Sequence, residues 1–129
     1  MLYSEQDYSI HYYRNSRTLR VPVREYILKL PEKHRAKVLA YIRFLADQGG
    51  RLDEPYSRYI GHGVRELRVE FFKNRHRIIY LGVEGKKILL LHAFLKRTPK
   101  TPPQEVARAL KNLADYQVNK NIVPYEPHT

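Results

Sequence analysis

The feature that most constrains the fold is a strand-length run, Ile88-Leu89-Leu90-Leu91-His92-Ala93-Phe94, in which apolar residues occupy successive positions rather than alternate ones. Successive side chains of a strand point to opposite faces, so such a run needs apolar cover on both of them. It belongs in the middle of a sheet, and the reading places helices on one side of that sheet.

The residues upstream supply its neighbours. Glu84-Gly85-Lys86 makes a turn after Arg77-Ile78-Ile79-Tyr80-Leu81-Gly82-Val83, and Lys73-Asn74-Arg75 makes a polar turn before it. Earlier still, Arg65, Leu67, Val69 and Phe71 alternate with Glu66, Arg68 and Glu70, the period of a half-buried strand. These three strands form an antiparallel meander, and residues 51–63, with Pro55, Gly61 and Gly63, read as the loop that leads into it. Tyr8-Ser9-Ile10-His11-Tyr12-Tyr13 is a first strand, with Asn15-Ser16 as its turn.

Helical spacing fills the remainder. Pro22 opens a short helix through Val23, Tyr26, Ile27 and Leu30, which Pro31 interrupts. Pro31-Glu32 opens a second, with a stripe of Val38, Tyr41, Ile42 and Leu45, and Gly49-Gly50 stop it in the left-handed region. Thr101-Pro102-Pro103-Gln104 reads as an N-cap, a proline at the first helical position and a capping-box acceptor, ahead of Val106, Leu110, Leu113 and Tyr116. The order β-α-α-β-β-β-α predicts an α+β fold, a small twisted, mainly antiparallel sheet packed against a helical hairpin. A chain of 129 residues has room for one such domain, over residues 1–118, followed by a flexible tail at residues 119–129.

Charge narrows the partners. Lys and Arg number 24 against 13 Asp and Glu, a formal charge of +11, which suits a polyanion whose counterions are released on binding. The absence of cysteine excludes disulfides and thiolate zinc sites. Residues 1–13 mix Glu5, Asp7 and His11 among apolar residues, so a signal peptide is not expected, and no run is long enough to span a membrane. The expectation is a cytoplasmic protein without a membrane partner.

No phosphate-binding glycine motif and no nucleophile in a known setting is present, and the six histidines are scattered, so neither a cofactor nor a metal is expected. What remains is a concentration of cations on strands and turns: Arg65, Arg68, Lys73, Arg75, Arg77, Lys96, Arg97 and Lys100, near His62, His76 and His92. Metal-free RNA cleavage needs such a set. The ribose 2′-hydroxyl must lose a proton, charge on the phosphate oxygens must be offset, and the 5′-oxygen must leave. Arginine suits the phosphate, and histidine or a lysine of lowered pKa suits the proton transfers.

Arg77 shares a face with Ile79 and Leu81, so its burial demands a carboxylate or a ligand. Arg68, opposite Leu67 and Val69, can meet a cross-strand glutamate, water or substrate. His92 fits both a hydrogen-bonded core histidine and an acid–base group, while His62 reads as a loop residue. Lys96, Arg97 and Lys100 follow the central strand, where a groove can form. Tyr59 and Tyr80 fit core packing, or stacking on unpaired bases.

Three segments carry a resemblance: Gly63-Val64-Arg65-Glu66-Leu67-Arg68, His76-Arg77-Ile78-Ile79-Tyr80, and Leu91-His92-Ala93-Phe94-Leu95-Lys96-Arg97-Thr98-Pro99-Lys100-Thr101-Pro102. Together they resemble the phage-derived, HigB-type branch of the RelE/ParE toxin superfamily, over residues 8–116. The resemblance implies the RelE-like fold and a metal-independent, ribosome-dependent endoribonuclease that cuts messenger RNA. It also implies a cognate helix-turn-helix antitoxin, with operator DNA bound only through the toxin–antitoxin complex. By position, Arg77 matches the strand arginine of the RelE active site, Arg68 matches a basic strand residue, and Lys96 or Arg97 matches the basic residue after the central strand. The catalytic set expected is Arg68, Arg77, His92 and Lys96, with His92 or another ionisable group for proton transfer, and Arg65, Lys73, Arg75, Arg97 and Lys100 are expected to bind RNA. Strand lysines of RelE fall at Val64 and Glu66, so the general base does not carry over. The same fold also serves ParE-like gyrase inhibitors and inactive antitoxin-binding regulators, which are the alternatives. An Arg77→Ala variant is expected to lose toxicity and keep its fold.

Overall fold

The run of apolar residues becomes β5, Lys87–Lys96, inside a six-stranded sheet of order β2-β3-β4-β5-β1-β6. In the computed structural model, which describes residues 8–126, the other elements are β1 Ser9–Tyr13, α1 Pro22–Leu28, α2 Glu32–Asp47, β2 Ser57–Gly61, β3 Val64–Phe71, β4 Asn74–Val83, α3 Pro103–Asn119 and β6 Ile122–Pro124. Only the β1–β5 pair is parallel; the other neighbours run antiparallel. The α+β architecture is consistent with a RelE-like fold. Residues 1–7 of the expected domain and residues 127–129 of the expected tail lie outside the described residues.

Helices cover both faces of the sheet, not one. On the first face α1 and α2 bring Val23, Ile27, Val38, Ile42 and Leu45 against Leu67, Val69, Ile78, Tyr80, Ile88 and Leu90. On the second, Ala109 and Tyr116 of α3 meet Tyr13, Val64, Ile79, Leu89, Leu91 and Phe94. The unbroken apolar character of β5 follows, since its alternate residues enter two different cores. Each fully buried leucine or isoleucine there stabilises the fold by about 1.5–3 kcal/mol.

Two strands go beyond the expected order. β2 arises within residues 51–63, because Gly61, His62 and Gly63 all take positive φ (96°, 56° and 80°) and turn the chain back onto β3. β6 arises in the segment read as tail, where it pairs with β1 and the Tyr125 amide donates to the Ile10 carbonyl at 3.0 Å. As expected, α2 ends at Gly49 and Gly50, with φ of 64° and 79°.

The β3–β4 turn is Phe72-Lys73, not Lys73-Asn74-Arg75, with Phe72 in the left-handed region at φ 54°. This shorter turn carries Asn74 and Arg75 into β4 and sets Arg75 opposite both Glu70 of β3 and Lys96 of β5.

Candidate functional site

α3 packs mainly on β5, with Val64 of β3 and Ile79 of β4 in the same apolar cluster, and beyond these two the β2–β3–β4 side of this sheet face carries charged residues. Cross-strand partners share a face, so the register defines what stands there. One row runs Arg58, Glu66, Ile79, His92; the next runs Arg68, Arg77, Phe94; the third runs Glu70, Arg75, Lys96. Charged residues of four strands thus form a three-row array beside α3. This is where the sequence-derived set Arg68, Arg75, Arg77, His92 and Lys96 comes together.

Arg77 is 1% exposed, and carboxylates surround it as its burial requires. Its Nη1 donates to Glu70 Oε2 at 2.5 Å and to the His76 carbonyl at 3.1 Å, and its Nε lies 3.7 Å from Glu66 Oε1 without a hydrogen bond. Glu66 is equally buried and accepts a 2.6 Å bond from the Thr101 hydroxyl. Thr101 was the expected N-cap of α3; the cap is Pro102, with no side-chain bond, because the buried carboxylate claims the hydroxyl.

Lys96, 7% exposed, has no hydrogen-bond or ion-pair partner among the described residues. Burial pulls its pKa below the ordinary lysine value, Glu66 opposes that shift, and Arg77, Arg68 and Arg58 add to it. Arg68 reaches Glu54 only at 3.8 Å, and Arg75 reaches Glu70 only at 3.9 Å. Arg58 is exposed at the margin of the array and was not among the residues singled out from sequence. Its signal is hidden in the sequence because residues 51–63, with Pro55, Gly61 and Gly63, read as a loop.

The remaining cations are dispersed. Arg65 lies on the opposite face, where its guanidinium donates to Ser57 Oγ at 2.9 Å and to the Leu52 carbonyl at 3.1 Å. Lys73 is exposed in the β3–β4 turn, while Arg97 and Lys100 are exposed beyond β5. His62 is exposed in the β2–β3 turn, and Tyr59 donates no ring to the core; its hydroxyl instead accepts the Gly63 amide at 3.0 Å. Tyr80 is a core residue, 2% exposed and hydrogen-bonded to Ser57 at 2.6 Å.

His92 Nε2 donates to Glu105 Oε1 at 2.7 Å, and Arg108 Nη1 donates to the same oxygen at 3.2 Å. The imidazole lies nearly parallel to Phe94, with centroids 5.8 Å apart and planes at 21°. It also lines a cleft of about 510 Å³, walled by Asn15, Arg20, Tyr26, Lys29 and Arg108. The cleft exists because β1 pairs only with residues 87–90 of β5, so the second half of β5 has no strand on that side.

A second histidine group, not foreseen as a unit, joins the helical hairpin to the sheet. His76 is bonded to Tyr26 at 2.7 Å and to His34 at 2.9 Å. Burial, then His34 and Arg77, lower the pKa of His76, with Glu70 acting in the other direction. Burial pushes the Tyr26 hydroxyl up to about 12. Among the described residues no group of three or more His, Cys, Asp or Glu is placed to hold a metal ion, and no helix is long and apolar enough to cross a membrane.

A family model described as "Phage derived protein Gp49-like (DUF891)" matches residues 25–114, which run from α1 to the middle of α3 and include every residue of the array. No curated protein matches the chain.

Proposed function

Because the chain belongs to the phage-derived Gp49-like family, which is associated with toxin–antitoxin systems, we propose that it is a type II toxin, a RelE/HigB-like endoribonuclease that cuts messenger RNA on the ribosome. The observation that carries this reading is the array beside α3, in which Arg58, Arg68, Arg75, Arg77 and Lys96 converge from four strands. A gyrase-directed protein of this fold has no need of a buried arginine and a buried lysine on one face.

Arg58, Arg68 and Arg75 meet the phosphates of the message, since Arg58 is exposed and the guanidinium groups of Arg68 and Arg75 are only loosely held by carboxylates. Arg77 is held in place by Glu66, and Glu70, half exposed, stands where a scissile phosphate would displace it. Lys96 and Arg77 offset the charge that develops on the phosphorus oxygens. Lys73, Arg97 and Lys100 extend the cationic surface outward toward ribosomal and messenger RNA. A cognate helix-turn-helix antitoxin neutralises the toxin, and operator DNA is bound through that complex.

The test is to induce the chain alone in a bacterium and map new messenger RNA 5′ ends beside ribosome footprints, with Lys96→Met as control. Methionine keeps most of the buried volume and removes the charge. New ends inside translated codons, lost in the variant, are the expected result. Intact messages with growth arrest and DNA damage would move the protein to the gyrase-directed class.

A further inference from the structure

We infer that Glu105 is the positioning residue that sets His92 up as the proton-transfer group, by holding its imidazole in the tautomer that carries hydrogen on Nε2. The inference rests on the ribonuclease reading above, and sequence alone did not point to Glu105.

Three local features aim this imidazole. The β4–β5 register shifts between Ile79 and Tyr80, which face His92 and Leu90, so Leu91 is an extra residue in β5. A bulge of this kind redirects the side chain beside it. Asn112 of α3 donates to the Leu91 carbonyl at 2.8 Å and so fixes the bulge to the helix. Glu105, in the first turn of the same helix, takes the Nε2 hydrogen at 2.7 Å, and Arg108 at 3.2 Å holds its carboxylate. Phe94 supports one side of the ring, and Phe94 is itself the cross-strand partner of Arg77.

With Nε2 committed to Glu105, the lone pair resides on Nδ1. His92 borders both the array and the open cleft, so a ribose can approach it while its phosphate meets the arginines. Nδ1 takes the proton of the 2′-hydroxyl, and the 2′-oxygen bonds to phosphorus. The bond from phosphorus to the 5′-oxygen breaks, and that oxygen takes a proton from water. The products are a 2′,3′-cyclic phosphate and a 5′-hydroxyl; the imidazolium, facing the Glu105 carboxylate, returns its proton to solvent. Glu105 does not touch the substrate in this scheme and acts only through His92.

The experiment uses the purified full-length protein with programmed ribosomes, together with ¹⁵N imidazole spectra of His92. Wild type is expected to show one tautomer, hydrogen on Nε2, and Glu105→Ala a mixture. Cleavage by Glu105→Ala is expected to fall about 100-fold in kcat with KM little changed. Glu105→Gln, whose amide oxygen still accepts from Nε2, is expected to keep the tautomer and recover part of the rate. The double variant Glu105→Ala/His92→Ala is expected to be no slower than His92→Ala alone. Wild type that cleaves while Glu105→Ala cleaves equally well, or a Glu105→Ala effect that persists without His92, would overturn this inference alone. Wild type that cleaves no message would overturn the ribonuclease reading and this inference with it.

Discussion

The two faces of the sheet are made from the same strands and differ in what covers them. Leu67, Val69, Ile78 and Tyr80 enter a continuous apolar core beneath α1 and α2. Their immediate neighbours Glu66, Arg68 and Arg77 point the other way, past the margin of α3. One face is closed by apolar contact throughout; on the other the apolar cover reaches Val64 and Ile79 and then gives way to the ion pairs around Arg77. A face devoted to stability has no reason to bury Arg77 and Lys96, whose desolvation is unfavourable. On the proposed ribonuclease reading, the difference marks where the fold has given up packing in favour of a polyanion site.

Breaking the ion pairs should have the largest effect. Arg77→Ala leaves Glu66 buried without its cation and is expected to cost about 3–5 kcal/mol in urea denaturation. A loss of that size is a large part of a small domain's stability, which makes the variant unsuitable as a clean test of catalysis. Pairing Arg77→Met with Glu66→Gln should cost less than the alanine variant, and equal costs would show that the carboxylate tolerates isolation. On the apolar face, Ile78→Ala is expected to cost about 3 kcal/mol, from lost transfer energy and a cavity. A loss well under 1 kcal/mol would mean that the hairpin core collapses to fill the gap.

The cover supplied by α3 is pinned by Asp115, which accepts the Tyr13 hydroxyl at 2.5 Å and the Ser16 hydroxyl and amide at 2.6 and 3.0 Å. Asp115→Ala is expected to cost about 2 kcal/mol by loss of charge-assisted bonds. Those bonds hold the Asp115 carboxyl well below the usual carboxylate range, Ser16 first and Tyr13 next. Its folded pKa is depressed, so this stability is complete above the ordinary aspartate value and is lost as pH falls below it; a flat profile in the Asn variant checks the assignment. The smallest effect concerns His76 on the hairpin face. Its folded pKa is also lowered, so stability should decline as pH falls below about 6.5, and His76→Gln should flatten that slope.

The sequence made the central strand legible because β5 is apolar at successive positions, and it made the need of Arg77 for a carboxylate legible from alternation with Ile79. Which carboxylates meet it was hidden, since Glu66 and Glu70 are placed by a register that depends on the Phe72-Lys73 turn. The Thr101 cap was misread because local capping lost to a buried long-range acceptor. Glu105 carried one signal, a carboxylate in the first turn of α3 shortly after His92, but such residues are common there for reasons of helix charge alone. Arg58 and the helix on the second face needed strand order, which periodicity does not supply.

The most direct test of the asymmetry is a pair of charge-matched double reversals assayed for cleavage of messenger RNA on programmed ribosomes. Arg58→Glu with Arg75→Glu changes the array, whereas Lys33→Glu with Arg43→Glu makes the same change in net charge at exposed positions of α2. Loss of cleavage by 100-fold or more in the first pair, with the second within about threefold of wild type, is the expected result. Equal losses in both pairs would show that overall charge, not the face beside α3, engages the message.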